Sequence, residues 1–162
     1  IEILGTVSTI RQIHRMTSEL KPMDLDSAIQ DTVRGYPHTT VRYEGTHYRV
    51  HADDLLSVIF NNLIGNAVKH GGSGVEVAVR VEEVGGSIRV SVEDTGRGVP
   101  DEEKTTIFHR YEQQKRGVGE GLGLYLVQIL IRRYGGRIWV EDRVPGHPGE
   151  GAAFRLTLRK AA

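Results

Sequence analysis

The chain has 162 residues, its 21 lysines and arginines balance 21 aspartates and glutamates, and it contains no cysteine. The lack of cysteine excludes disulfides, thiolate chemistry and cysteine–zinc sites, while the balanced charge argues against nucleic acid as a partner. The length suits one domain with a real core. No apolar run approaches the roughly 20 residues that a membrane span needs, so we expect no direct membrane contact.

The first half of the chain is predicted to be mostly helical, with two short strands. Apolar side chains in residues 1–20 recur at roughly helical spacing, and a second helix is predicted in "MDLDSAIQDTV", with Asp24 or Asp26 as its N-cap. Two short strands, "TTVRYEG" and "HYRVHAD", come next. The clearest helix spans 53–69, where acidic residues in the first turn suit the helix dipole.

The second half alternates strands with helical segments. Residues 74–94 alternate with period two around Gly85-Gly86, which is typical of a β-hairpin. A short helix is predicted over Asp101–Phe108 and an apolar helix over Gly121–Tyr134, before two closing strands, "GRIWVED" and "GAAFRLTL". Strands therefore come as antiparallel pairs with helices between them. This order predicts an α/β (α+β) sandwich, with a mixed, largely antiparallel sheet and helices packed on one face.

A polar stripe runs along the clearest helix. Asn62 and Asn66 are four residues apart, and Lys69 and His70 follow three and four residues later. At 3.6 residues per turn these side chains share one face of the helix. A solvated polar face is one interpretation, since polar residues are mostly exposed. The other is that amide oxygens, as hard neutral donors, complete the shell of a magnesium ion held mainly by phosphates.

A second motif, "VEDTGRGVP", follows the most regular strand. Asp94 ends that strand, and Gly96 and Gly98 give a backbone that can turn sharply and approach a flat ligand. An ordinary Asp-Thr-Gly turn is one interpretation. The functional interpretation is that a strand-end carboxylate accepts hydrogen bonds from the exocyclic amine of a base.

Glycines occupy every second position from 117 to 123, immediately before the apolar helix. Their unhindered backbone N–H groups and the positive end of the helix dipole form an anion site. The stretch lacks the Gly-Lys-Ser/Thr ending of a Walker loop and the spacing and preceding strand of a Rossmann fingerprint. A flexible linker is the remaining alternative. It is disfavoured because the following helix is apolar on nearly every face and must be deeply packed.

In this order, these segments resemble the N, G1, F and G2 boxes of sensor histidine kinases. The asparagine-bearing helix corresponds to the N box, "DTGRG" to G1, "IFHRY" to the F box and "GEGLGL" to G2. The resemblance covers roughly residues 22–160. It implies the Bergerat-type ATP-binding sandwich that type II topoisomerases, mismatch-repair ATPases and heat-shock chaperones share, with ATP and Mg²⁺ as cofactors.

The resemblance implies roles for the polar stripe. Asn62 and Asn66 would lie by the triphosphate, with Asn66 as a ligand of Mg²⁺. Lys69 and His70 match a pair that usually touches the phosphates, and Lys69 joins the two asparagines as the catalytic set. ATPases of this superfamily usually carry a glutamate at the position of Asn62, as general base for water. An amide cannot take a proton at neutral pH, which favours transfer to a histidine over hydrolysis.

The resemblance also implies roles for the glycine-rich segments. Asp94 matches the aspartate that reads adenine, in a pocket that Gly96 and Gly98 shape. The last strand carries "GAAF" where small hydroxyl residues are frequent, which removes a hydrogen bond near adenine. The lid and the phosphate loop supply the remaining nucleotide-binding positions: Phe108, Tyr111, Gly119, Gly121, Leu122 and Gly123.

The resemblance implies a chain with two parts. Residues 1–20 look like the end of a dimerisation and phosphoacceptor hairpin, and residues 21–162 like the catalytic ATP-binding domain. His14 does not match the acceptor motif, so we expect the acceptor histidine on a dimerisation domain of the same protein, upstream of a response regulator, and a cytoplasmic location. The alternatives are an ATP-hydrolysing relative, a serine/threonine kinase of the same superfamily and a non-catalytic nucleotide-binding or docking module.

Overall fold

A computed structural model describes residues 8, 11, 19–109 and 122–162, with no description of the Leu122 side chain. Ser8 and Arg11 are exposed and helical; His14 and the rest of 1–18 lie outside the described residues. The helices and strands, in chain order, are β1 (Lys21–Asp24), α1 (Leu25–Arg34), β2 (Thr40–Tyr43), β3 (Arg49–Ala52), α2 (Leu56–Gly71), β4 (Glu76–Val84), β5 (Ser87–Asp94), a 3-10 helix (Asp101–Glu103), α3 (Leu122–Arg133), β6 (Ile138–Asp142) and β7 (Ala152–Ala161).

The described strands form one seven-stranded sheet. Its order is β1-β3-β7-β5-β4-β2, and β6 pairs with β7 beside this path. The pairing of β2 with β4 is parallel, and the other pairings are antiparallel. The predicted α/β sandwich with a mixed, largely antiparallel sheet is confirmed.

The period-two pattern of the central strands separates the two faces of the sheet. In β5, Ile88, Val90 and Val92 are fully or almost fully buried under the helices. On the opposite face Arg155 forms ion pairs with Glu93 and Glu141 across neighbouring strands. Helix α2 lies between α1 and α3 and contacts β5, while α3 contacts β7. The helices therefore cover one face, and a layer of ion pairs covers the other.

The antiparallel pairing predicted for the two short strands "TTVRYEG" and "HYRVHAD" is wrong. Strands β2 and β3 do not pair with each other. Instead, β2 lies parallel to β4 at one edge of the sheet, and β3 lies between β1 and β7. Strand β1 was not predicted. It contains Pro22, which lacks a backbone N–H and fits an edge strand. These pairings join residues that are distant along the chain, so local periodicity did not predict them.

Two predicted helices have different ends in the structure. The helix predicted over 53–69 begins at Leu56 and runs to Gly71, so no acidic residue lies in its first turn. The helix predicted over Asp101–Phe108 is a 3-10 helix at Asp101–Glu103 followed by a second 3-10 turn at 107–109. At α1 the structure selects Asp24 as the N-cap residue, without a side-chain cap hydrogen bond.

Asp53 has a packing role instead of a helix-dipole role. Its side chain is buried, and its carboxylate accepts hydrogen bonds from the Tyr134 hydroxyl at 2.5 Å and from Arg133 Nε at 2.9 Å. Both donors lie at or just after the end of α3. Asp53 thus ties the start of α2 to the end of α3, the two helices that carry the proposed phosphate-binding residues.

Candidate nucleotide-binding site

A cavity of about 370 Å³ opens between α2, the end of β5 and the start of β7. It combines apolar walls with a few polar groups, the usual composition of a small-molecule site. Its described lining consists of Asn66, Ala67, His70, Gly71, Asp94, Gly96, Arg97, Gly98, Val99, Pro100, Glu103, Ile107, Ala152 and Phe154. It brings together Asn66, His70, Asp94, Gly96 and Gly98 of the predicted site.

Asp94 is a buried carboxylate at the end of β5. Its Oδ1 accepts hydrogen bonds from the backbone N–H of Gly96 at 2.9 Å and of Ala152 at 3.4 Å. Within the described residues no hydrogen bond engages Oδ2, which leaves this oxygen as an acceptor for a ligand. Burial raises the pKa of Asp94, and the two N–H groups and the charge of Arg143 oppose that rise only in part.

The backbone N–H group of Ala152 belongs to the "GAAF" segment, for which a missing hydrogen bond was predicted. A hydroxyl side chain is absent there, but this main-chain donor already reaches the Asp94 carboxylate. The segment therefore orients the carboxylate without a side-chain hydrogen bond.

The loop after Asp94 needs glycine at two positions. A Cβ atom on Gly96 would lie 2.9 Å from Gly71 Cα and 3.0 Å from Asp94 Oδ1. Gly98 has a φ of +75°, and a Cβ atom there would lie 1.8 Å from the Pro148 carbonyl oxygen. The G1 segment is thus packed against backbone on both sides, which fixes the floor of the cavity.

The four residues of the polar stripe take different positions. Asn66 and His70 line the cavity, whereas Lys69 is exposed. Asn62 is half-buried one turn earlier and is not a lining residue. Its Nδ2 donates a hydrogen bond to the Val58 carbonyl at 2.7 Å. The prediction that all four act on one ligand remains a prediction.

The start of α3 lies directly beside Asn62. A Cβ atom on Gly123 would be 2.4 Å from Asn62 Oδ1, so only glycine permits this approach. Leu122 is the first residue of α3. Tyr111, Gly119 and Gly121 lie outside the described residues.

Phe108 belongs to the core. It is 3% exposed and packs edge-to-face on Phe154, with ring centroids 6.1 Å apart. The neighbouring Ile107 lines the cavity instead.

Sequence reasoning missed several lining residues. Val99, Ile107 and Phe154 form apolar walls, and Arg97 and Glu103 add charge. The "IFHRY" and "GAAF" segments marked the right neighbourhoods, but only tertiary packing shows which side chain faces the cavity.

Within the described part of the chain, no group of three or more His, Cys, Asp or Glu side chains is arranged to hold a metal ion. No helix among the described residues has the length and apolar character that crossing a membrane requires.

The sheet, its one-sided helical layer and the cavity over Asp94 define an ATP-binding α/β sandwich. Residues 51–162 match the family model described as histidine kinase-, DNA gyrase B-, and HSP90-like ATPase, and the chain belongs to this family. The resemblance carried by the four boxes is thereby confirmed.

Similar proteins are sensor kinases. The chain is 42% identical over 120 residues to the sensor histidine kinase AruS of Pseudomonas aeruginosa, an alignment that covers 68% of this chain and 12% of AruS. It is 37% identical over 114 residues to the adaptive-response sensory kinase SasA of Crocosphaera subtropica, covering 67% of this chain and 29% of that kinase. The chain therefore spans less than a third of these relatives.

Solved structures share the fold. The mycobacterial sensor histidine kinase MprB superposes with a TM-score of 0.77 at 25% identity, covering 87% of this chain and 97% of that one. Full-length ShkA, crystallised in complex with AMPPNP, superposes with a TM-score of 0.77 at 27% identity, covering 99% of this chain and 36% of that one.

Proposed function

We propose that this domain binds Mg-ATP and donates the γ-phosphoryl group to a histidine on a dimerisation domain of the same protein, in two-component signal transduction. Membership of the ATPase family and the sensor-kinase relatives support this function. ShkA, a structural neighbour, was crystallised with the ATP analogue AMPPNP.

The observation that carries the proposal is the carboxylate of Asp94. Two backbone N–H groups hold its Oδ1, and Oδ2 remains to accept a hydrogen bond. An amino group at the edge of a purine ring is a suitable donor, whereas a carbonyl oxygen at the same place would be repelled. The Asp94 carboxylate therefore favours the 6-amino group of adenine over the 6-carbonyl oxygen that guanine carries at the same position.

The donor set fits a magnesium ion that the phosphates largely hold. The described residues offer no cluster of three His, Cys, Asp or Glu ligands, so the protein alone would bind the ion poorly. Asn66 lines the cavity and supplies an amide oxygen, a hard ligand of the kind that Mg²⁺ accepts beside phosphates. When bound, the ion neutralises phosphate charge and so assists phosphoryl transfer.

Asn62 favours phosphoryl transfer over hydrolysis. Its amide donates to the Val58 carbonyl and lies against Gly123, and it has no basic group with which to activate water. A neutral histidine needs no such base, because its unprotonated ring nitrogen can attack without first losing a proton, whereas an attacking water must lose one. Without a general base, the part of this chain in the transfer is to position the phosphates. Asn66, Lys69 and His70 are the residues that we assign to this role.

The rest of the pathway follows from the same proposal. In this proposal residues 1–20 belong to the dimerisation and phosphoacceptor hairpin, and residues 21–162 form the catalytic domain. The acceptor histidine lies on the dimerisation domain, and the phosphoryl group passes on to an aspartate of a response regulator. The full protein acts on the cytoplasmic side of the cell membrane or in the cytoplasm.

A transfer assay tests the proposal. The domain is mixed with γ-labelled ATP, magnesium and a separate histidine-bearing hairpin domain, alongside Asp94→Asn and the exposed-site control Asp31→Asn. We expect acid-labile label on the hairpin with the wild type and the control, and none with Asp94→Asn. Phosphate release without an acceptor would indicate an ATPase. Acid-stable label would indicate a serine/threonine kinase, and nucleotide binding without transfer would indicate a docking module.

A further inference from the structure

Arg97 is the only lysine or arginine among the described residues that line the cavity. Its Nη2 lies 3.3 Å from Nδ1 of His70, another lining residue. A guanidinium group can only donate, so in this hydrogen bond Nδ1 of His70 is the acceptor and Nε2 is the ring nitrogen that carries a proton. Two hydrogen-bond donors, the guanidinium group of Arg97 and the Nε2–H group of His70, thus lie close together at the edge of the cavity.

Within the described part of the chain, Arg97 differs from the arginines of the sheet in having no carboxylate to neutralise its charge. Arg42, Arg80, Arg89 and Arg155 each form an ion pair with a glutamate on a neighbouring strand. Among the described residues no carboxylate forms an ion pair with Arg97. A permanently charged guanidinium beside a second donor is stabilised by an anion that both can contact.

The backbone around Arg97 is fixed by its two neighbours. Gly96 packs on Gly71, the residue that follows His70, and this contact brings Arg97 and His70 together. Gly98 packs on the Pro148 carbonyl with a positive φ. The arginine therefore extends from a rigid segment, which reduces the entropy lost when it holds a ligand.

We propose that Arg97, together with His70, holds a phosphate group of the bound nucleotide. The resemblance to sensor kinases assigns His70 to the phosphates but gives Arg97 no role. This inference rests on the proposed function, because it takes the cavity to hold an adenine nucleotide. Phosphate oxygens are acceptors only, and a guanidinium fork can contact two of them.

The test separates phosphate recognition from adenine recognition. ADP and adenosine are each titrated into the ¹⁵N-labelled domain, and NMR chemical shifts give both dissociation constants and a check of the fold. The variants are Arg97→Gln, Arg97→Lys and the control Arg80→Gln, which removes the same charge from the opposite face of the sheet. Each titration is repeated at low and at high salt.

We expect Arg97→Gln to weaken ADP binding about tenfold and to leave adenosine binding within about twofold of the wild type. The ADP affinity of Arg97→Lys should lie between those of the wild type and Arg97→Gln, and the ADP affinity of Arg80→Gln should match that of the wild type. The loss should shrink at high salt, because Arg97 is exposed. Unchanged ADP binding in Arg97→Gln, or an equal loss for adenosine, would overturn the inference while the proposed function stands. A wild-type domain that binds neither ligand would contradict the proposed function and this inference together.

Discussion

The buried carboxylate of Asp53 holds two helices together, and its partners allow its contribution to be measured. Tyr134, whose ring is fully buried, donates its hydroxyl to Asp53 Oδ1 at 2.5 Å, and Arg133 Nε donates to Oδ2 at 2.9 Å. Tyr134→Phe removes one hydrogen bond to a charged acceptor, which contributes about 1.5–3 kcal/mol. We therefore expect the free energy of unfolding to fall by about 2 kcal/mol and the melting temperature by about 4–8 °C.

Asp53→Asn should lower the free energy of unfolding by about 3 kcal/mol, more than Tyr134→Phe does, because it also removes the Arg133–Asp53 ion pair. Tyr134→Phe removes this hydrogen bond and Asp53→Asn removes the charge of its acceptor, so the two effects overlap and the double variant should be less destabilised than the sum, by about 1 kcal/mol. Urea unfolding followed by the fluorescence of the single tryptophan, Trp139, measures all four proteins. The control is Tyr36→Phe, since no described residue hydrogen-bonds to that hydroxyl.

The pH dependence of the free energy of unfolding independently tests whether the Asp53 carboxylate is ionised in the folded protein. Burial alone would raise the pKa of Asp53, but hydrogen bonds from Tyr134, Leu55 and Arg133 outweigh it and hold the pKa below its usual value. A lowered pKa contributes stability that is present above the unfolded value of about 3.9 and is lost as the pH falls through the folded value. The gap between wild type and Asp53→Asn should be full at pH 7 and close in acid. An additive double variant, or a gap independent of pH, would refute this account.

Three further substitutions test the site. Burial raises the pKa of Asp94. Its ionised form therefore destabilises the folded state at pH values above the usual carboxyl pKa of about 3.9. We expect Asp94→Asn to leave the melting temperature at pH 7 unchanged or to raise it. Gly98→Ala should lower the free energy of unfolding by about 2–4 kcal/mol, since its Cβ atom would strike the Pro148 carbonyl at a positive φ. Gly123→Ala should displace Asn62 and weaken ADP binding about tenfold, measured by calorimetry, with little loss of stability.

The two glycine substitutions have control variants, and the Asp94→Asn prediction has an outcome that would contradict it. Gly146 also has a positive φ, but its Cβ atom would meet no atom within 4 Å, so Gly146→Ala should cost only about 1 kcal/mol. Gly149 likewise borders open space, and Gly149→Ala should leave ADP binding unchanged. A melting temperature several degrees lower for Asp94→Asn would show that its ionised form does not oppose folding.

Local pattern was sufficient for much of the site. The helix predicted over 53–69 put Asn66 and His70 on one face, because residues four apart share a helix face, and both line the cavity. Alternation predicted the β4–β5 hairpin, whose turn at Gly85 and Gly86 uses positive φ at both positions. The same alternation predicts the position of Asp94, which is the last residue of β5 and lies on its buried face.

Non-local packing decided what the sequence could not predict. The parallel pairing of β2 with β4 needs the whole β3–α2 segment to cross between them, and no local pattern records it. Asp53 is one of the acidic residues predicted for the first turn of a helix, but its partners lie 80 and 81 residues further along the chain, where no local pattern reveals them. Arg97 lies between two glycines in the G1 segment, and only the contact of Gly96 with Gly71 shows that it faces His70.

We propose that the buried carboxylate of Asp94 binds the adenine of a nucleotide held in the cavity. This role is tested by calorimetric titration of ADP with magnesium into the wild type, Asp94→Asn and the control Asp31→Asn. We predict saturable binding by the wild type and the control, and a loss of about a hundredfold or more in Asp94→Asn, because an amide donates where the carboxylate accepts. Equal ADP affinity in Asp94→Asn, or no binding by the wild type, would contradict the claim.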